Sequence, residues 1–321
     1  MTYTVRHVTR FTYEAPISES VMEVRMQPRS DATQRCLHFG LSTAPPTRIL
    51  MYQDHDGNIV HHFDIPGRHA RLAITAEALV DCTPATPLPA TLGDEGWARL
   101  DAVAASGELW ELLNPSQFAH ATPLVDAFAN EIGLARRGDP IATMRWLMSE
   151  IHGRFEYRPQ STRVDSPVDD ALRARRGVCQ DFAHLFLTLA RRLGVPCRYV
   201  SGYLFHDSGL TEEAASATHA WTEAFLPGLG WIGFDPTNDV IAEDRHIRVA
   251  IGRDYADVPP TRGVFKGVTT VRGELTVGVT VGSAQPAVAG DVLPFVPWMS
   301  REASAPMGAD DTGSSQSQQQ Q

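Results

Sequence analysis

The sequence predicts an α+β protein, and three observations carry the prediction. Residues 1–82 fall into short runs of alternating apolar and polar residues, broken by Gly, Pro and Asp. A proline-rich stretch at 83–91 then interrupts all periodicity. After it, apolar residues recur every three or four positions over several segments before alternation returns. Strands, then helices, then antiparallel strands is the element order of an α+β fold.

The chain opens on a strand, because Tyr3, Val5 and His7 alternate with Thr4 and Arg6, and Phe11 and Tyr13 keep the rhythm. Met22, Val24 and Met26 against Val21, Glu23 and Arg25 make a second strand, closed by Pro28. Further runs at 37–41, 47–53, 59–65 and 71–80 are separated by Pro45-Pro46, Asp56-Gly57-Asn58 and Pro66-Gly67. Asp-Gly between apolar runs is a hairpin signal. Residues 1–82 therefore read as an antiparallel, sandwich-like β-domain, and 83–96 as a stiff linker.

A second unit is expected over 97–265. Leu124, Val125, Phe128 and Ile132 share one helical face, ended by Gly133. Asp139-Pro140 opens another helix with Met144, Leu147, Met148 and Ile151 inward. A short helix at 168–175 precedes Cys179, and strands follow at 196–205, 218–226 and 231–235. Residues 266–283 are expected to close as a β-hairpin built from runs at 268–271 and 275–281. Residues 284–321, ending in serines and glutamines, are expected to be a disordered low-complexity tail.

The most informative stretch is Gly177-Val178-Cys179-Gln180-Asp181-Phe182-Ala183-His184. Phe182, Leu185, Phe186, Leu189 and Leu193 make one apolar helical face that stops at Gly194 and Pro196. Backward, the pattern fades at Cys179, which places this cysteine in the first helical turn. There the unpaired N–H groups and the helix dipole favour a thiolate. A lone cysteine at a helix end is more often a small packed hydrophobe. What outweighs that reading is His219 in Thr218-His219-Ala220-Trp221 and Asp235 in Phe234-Asp235-Pro236. Nucleophile, base and orienting acid are the set for thiol acyl transfer.

One step in this reading does not close. A simple turn at 227–230 pairs Leu226 with Trp231 and puts Asp235 opposite Thr222, on the order of 10 Å along the strands from His219. A bulge at Gly230 or Gly233, or a longer loop, is required to bring Asp235 closer. Asp207 and Glu223 are alternative carboxylates, His184 reads as a packing or surface residue, Asp181 as serving the helix N-terminus, and Gln180 as a possible oxyanion donor. Trp221 and Trp231 read as core aromatics.

Composition narrows the function. The net charge of −10 argues against a nucleic-acid partner, and no apolar run is long enough to span a membrane. The opening residues carry no export signal. Four cysteines without close pairs fit neither a disulfide scaffold nor a zinc site and suit a reducing cytoplasm. Asp54-x-Asp56-Gly57-Asn58 lacks the Gly and Glu positions of a calcium loop and reads as a turn. His55, His61, His62 and His69 do not read as a metal site, because neighbouring strand residues point apart. No cofactor or metal is expected.

These residues resemble the bacterial transglutaminase-like family. The resemblance rests on Gly177 to Ala183, Cys197-Arg198-Tyr199-Val200-Ser201-Gly202-Tyr203, His219-Ala220-Trp221, and Gly230-Trp231-x-x-Phe234-Asp235-Pro236-Thr237. Val5 to Tyr13, Arg25-Met26-Gln27-Pro28-Arg29, Asp56-Gly57-Asn58 and His246 to Tyr255 also match, so the resemblance covers about residues 1–282. It implies a papain-like transglutaminase core behind a small β-domain, with Cys179, His219 and Asp235 as the triad. It implies a protein or peptide substrate and either amide hydrolysis or transfer to an amine. It implies no metal, since calcium sites of the animal enzymes are not recognisable here. A catalytically silent peptide-binding module is the alternative.

Overall fold

The computed structural model describes residues 1–84, 87–206, 218–267, 273–284 and 314–319. The six alternating runs become β1 (Thr2–Ile17), β2 (Glu19–Val24), β3 (Gln34–Ala44), β4 (Leu50–Gln53), β5 (Ile59–Ile65) and β6 (His69–Cys82). β1 pairs antiparallel with β6 from Thr2↔Asp81 to Thr12↔Arg71, with Phe11 opposite Leu72. Period-2 alternation gives each strand one apolar face. Phe11, Tyr13, Met22, Val24, Phe63, Leu72 and Ile74 bury together between two sheets. Tyr3 and Val5 continue the same face of β1 but bury in the core of the following unit. β1 thus belongs to both cores. Each large apolar side chain hidden this way contributes about 1.5–3 kcal/mol.

The second unit has α1 (Gly96–Ser106), α2 (Pro123–Glu131), α3 (Pro140–Arg154), β7 (Glu156–Tyr157), α4 (Val168–Ala174), β8 (Arg176–Gly177) and α5 (Cys179–Arg192). β9 (Cys197–Leu204), β10 (His219–Leu226), β11 (Gly230–Asp235), β12 (Val240–Ile241) and β13 (His246–Gly252) follow. They form a sheet in the order β12-β11-β10-β9-β13. α2 and α3 start as their sequences dictate. Thr122 accepts from the Val125 N–H, Asp139 accepts from Ile141 and Ala142, and proline holds the first turn of each.

α5 packs against β10, β9 and α3. It was expected to bury a single face, but every residue from Gln180 to Arg191 is buried. The polar positions are covered too. Arg191 donates to the carbonyl of Cys197 at 3.0 Å and to Ser116 at 3.2 Å, and Thr188 bonds back to the His184 carbonyl at 2.8 Å. A helix enclosed on all sides keeps its first residue in a fixed place.

The chain's last part departs from the expected hairpin. β14 (Thr261–Gly267) joins β2 in the sheet that also holds β5 and β4, and β15 (Gly273–Ala284) joins the sheet β15-β1-β6-β3. Leu275 to Val281 therefore pairs with Phe11 to Val5 of β1, while 268–271 lies outside the described residues. Alternation marks a strand but does not name its partner. Within the segment expected to be disordered, β16 (Ser314–Gln319) pairs with β14 from Gly267↔Ser314 to Arg262↔Gln319. An edge strand offers free backbone groups to any extended segment, whatever its side chains. The remainder of that segment lies outside the described residues.

Two side-chain amides stitch the β-domain to β13. Asn58 donates to the Ile251 carbonyl and accepts from its N–H, both at 2.8 Å. Gln34 does the same for Arg248, at 2.9 and 2.8 Å. Asp54 builds the turn that presents Asn58, accepting from the Asn58 N–H at 2.9 Å and the Asp56 N–H at 3.1 Å. Asn58→Ala leaves both backbone groups of Ile251 without these partners. It should lower unfolding stability by about 2–6 kcal/mol, at roughly 1–3 for each of the two orphaned groups. Urea unfolding followed by tryptophan fluorescence checks this.

Candidate active site

The β10–β11 connection decides the site. Leu226 pairs with Gly230 and Thr222 with Phe234, so the loop is Pro227-Gly228-Leu229, one residue shorter than the sequence suggested. Gly228 and Gly230 make it possible, with φ of +86° and +79°. The Leu229 N–H closes it onto the Leu226 carbonyl at 2.9 Å. The expected register put Asp235 on the face of Thr222, away from His219. A one-residue change flips every side chain to the other face. Asp235 now extends the register opposite Trp221, on the face of His219, at a diagonal that side chains bridge. The correction is a shorter loop, where a bulge or a longer one was expected.

His219 Nε2 lies 2.7 Å from Asp235 Oδ2. Both are buried, with side-chain exposures of 9% and 0%. Asp235-Pro236-Thr237-Asn238 folds into an Asx-type turn. Oδ1 accepts the N–H groups of Thr237 at 3.0 Å and Asn238 at 3.2 Å. Oδ2 also takes the Asn238 amide at 2.7 Å and lies 3.1 Å from His246 Nε2. Burial alone would raise the Asp235 carboxyl. The charge of His219 and the hydrogen bonds from His219 and His246 outweigh it and hold the carboxyl far below the usual range. For His219, burial opposes the charge, but the Asp235 carboxylate, its hydrogen bond and Cys179 raise the imidazole to about 10.

Cys179 is the first residue of α5, as the fading periodicity predicted, and is half-buried. It lies close enough to His219 to help raise the imidazole. Nε2 is committed to Asp235, which leaves Nδ1 for the thiol. The helix entry is held firmly. Asp181 Oδ2 accepts the Val178 N–H at 2.8 Å and the Thr162 hydroxyl at 2.5 Å, so Asp181 serves the N-terminus as expected. Its carboxylate packs so closely over Gly177 that a Cβ there would meet it at 2.7 Å. β8 pairs parallel with β7 (Glu156↔Arg176) and fixes the approach to the helix.

Trp221 covers the imidazole. The two rings stack with centroids 6.0 Å apart and planes at 25°, and Trp221 is buried as expected of a core aromatic. It lies flat because Gly202, paired to His219 in β9, has no side chain. A Cβ there would come within 2.6 Å of the Trp221 ring and 2.2 Å of the Ile247 carbonyl.

The rival residues have other partners. His184 stacks on Phe118 at 5.4 Å and accepts the Tyr255 N–H at 3.2 Å. Glu223 is buried between Arg198 at 2.6 Å and Arg248 at 3.3 Å. Gln180 donates to the Val164 carbonyl at 3.1 Å. Asp207 lies outside the described residues. Sequence reasoning missed two contributors, Asn238 and His246. Asn238, three residues after Asp235, is legible as a turn. His246 is brought in by the β9–β13 pairing (His246↔Leu204), which no local pattern announces.

His219, Asp235 and His246 present ligand atoms within 4.8 Å of one another, a composition that metals also use. Here hydrogen bonds link those same atoms. Behind His246, a cavity of about 240 Å³ opens between the two units, lined by Gln34, Trp221, Glu223 and Arg248 among others.

Comparison with known proteins agrees with this architecture. Residues 126–236 match the transglutaminase-like superfamily core, and 3–81 match the bacterial transglutaminase-like N-terminal region. An uncharacterized Mycobacterium leprae protein is 35% identical over 282 residues, covering 86% of this chain and 97% of its own length. A protein-glutamine gamma-glutamyltransferase of Pseudomonas aeruginosa is 29% identical over 46% of this chain and 24% of its own. The crystal structure of a candidate cysteine protease from Cytophaga hutchinsonii superposes with a TM-score of 0.69 at 20% identity, over 100% of this chain and 98% of that one. Matching both regions in order, and a relative over nearly its whole length, the chain belongs to the transglutaminase-like superfamily.

Proposed function

We propose that the protein is a cysteine-dependent enzyme that acts on amide bonds of protein or peptide substrates through a thioester on Cys179. The observation that carries this reading is the buried 2.7 Å His219–Asp235 contact beside a thiol at the first position of a helix. Cys179 Sγ attacks the carbonyl carbon as His219 takes the thiol proton. The Cys179 N–H, at a helix position with no intrahelical acceptor, is placed to stabilise the oxyanion, a role worth about 3 kcal/mol. The C–N bond then breaks as His219 protonates the leaving amine, and the acyl group stays on sulfur. Water or a second amine attacks the thioester, His219 takes its proton, and the thiol returns.

The two outcomes share their first half. Hydrolysis is favoured slightly, since water is always present. The glutamyltransferase similarity brings glutamine side chains into the substrate class. A glutamine peptide offered with excess primary amine separates them: free acid as the sole product removes the transferase reading. Among the described residues no helix is long and apolar enough to cross a membrane, and a reducing cytoplasm is the setting proposed for the unpaired thiols.

A direct check is selective alkylation. Burial pushes Cys82 up to about 11 and Cys197 up to about 12, and also raises Cys36. At neutral pH, iodoacetamide followed by peptide mapping should modify Cys179 at least about 10-fold faster than any of these, because thiolate and access set the rate. His219→Ala should remove the advantage. Equal rates at all four would favour a silent binding module.

A further inference from the structure

We infer that His246 is a positioning residue of the active site, holding Asp235 in place and acting only through it. The inference rests on the proposed Cys179–His219 chemistry. His246 opens β13, packed on β9, and its side chain is 6% exposed. Its Nε2 is 3.1 Å from Asp235 Oδ2, the same oxygen that meets His219.

The ring has little choice of tautomer. Nδ1 accepts the backbone N–H of Glu243 at 3.3 Å, inside a turn closed by the His246 N–H on the Glu243 carbonyl at 3.0 Å. A nitrogen that accepts an N–H carries no proton, so the proton sits on Nε2 and points at Asp235. The ring plane is fixed as well. His246 meets Trp221 edge-on, with centroids 5.1 Å apart and planes at 72°, and Trp221 stacks on His219. Two imidazoles thus meet a single carboxylate oxygen, and one indole packs against both rings. Burial keeps His246 neutral by lowering its affinity for a proton, against the pull of Asp235 and with help from the charges of His219 and Arg245.

This arrangement gives His246 two effects on the triad. With the Thr237 and Asn238 N–H groups on Oδ1 and the Asn238 amide on Oδ2, it adds a fixed donor that keeps Oδ2 facing His219 Nε2. It also shares the oxygen's charge, which moderates how tightly the imidazolium of His219 is held. Neither effect requires His246 to touch substrate. Losing a partner that orients a reacting group commonly costs about 10–100-fold.

The test compares His246→Leu, His246→Gln and His219→Ala, each read by Cys179 alkylation with iodoacetamide and by peptide turnover. Gln keeps an N–H donor at the Nε2 position and Leu does not. The expected result is a fall of about 10–100-fold for His246→Leu in both readouts, and recovery to within about 5-fold for His246→Gln. A structural role alone would not distinguish the two if both melt alike. Loss in both variants, or in neither, overturns the inference. The two levels fail separately. If His219→Ala leaves Cys179 alkylation unchanged, the thiol–imidazole reading itself falls. If His219→Ala abolishes it while His246→Leu does not, only the role of His246 falls.

Discussion

Cys179→Ala is expected to lower turnover of a glutamine peptide by at least about 10⁴-fold while leaving the fold intact. The rate follows from the chemistry, since without the sulfur no covalent intermediate forms and only binding and the oxyanion donor remain. The stability follows from the site. Cys179 is half-buried at the first position of α5, and the helix is anchored by Asp181, Thr162 and its enclosing core instead. Removing one sulfur there should cost no more than about 1 kcal/mol. Product analysis for free acid and amine adduct gives the first number, and thermal melting gives the second. Mass spectrometry of wild type with a slow acyl donor should show the acyl group on the Cys179 peptide. Turnover that survives Cys179→Ala would remove the thiol mechanism altogether.

Much of this arrangement is legible in the sequence because it is local. The alternating runs that become β1, β2, β5 and β6 each bury one face, and alternation is the direct record of that. The start of α5 is legible because Gly177 and the onset of apolar spacing bracket Cys179. Asp181 is legible as a helix-start residue for the same reason. Partnership is what the sequence hides. Leu275 to Val281 reads as a strand, but its pairing with β1 joins residues more than 260 positions apart. His246 enters the sequence reading only in the segment His246 to Tyr255 that resembles the family, and only the sheet order brings it to Asp235. The turn at Pro227-Gly228-Leu229 is the sharpest case. Both a three- and a four-residue loop suit that composition, and the choice decides which face Asp235 occupies.

Asp235→Asn should lower turnover by about 10³–10⁴-fold, through orientation and charge together. The substitution keeps the shape but leaves one oxygen and one amide where two acceptor oxygens stood. In the wild type those oxygens serve His219, His246, the Asn238 amide and the N–H groups of Thr237 and Asn238. With an amide in place, one N–H must face other donors, and His219 loses the acceptor that fixes its tautomer. Comparable losses elsewhere reach about 10⁴.

The charge leaves a separate signature in stability. His219 is raised from its ordinary 6.5 to about 10 in the folded protein. Its contribution is therefore fully present below pH 6.5 and is lost as the pH rises through about 10. Asp235 is depressed below its ordinary 3.8, so its contribution is present above that value and is lost as the pH falls beneath it. The pair should give wild type a plateau between roughly pH 4 and 6.5, with stability declining on the alkaline side. Asp235→Asn removes the attraction, leaves burial to oppose the imidazolium, and should flatten the alkaline decline. Melting temperatures at intervals from pH 6 to 10 test this. If both proteins fall with the same slope, the pair is not held as an ion pair, and the activity loss would have to come from orientation alone.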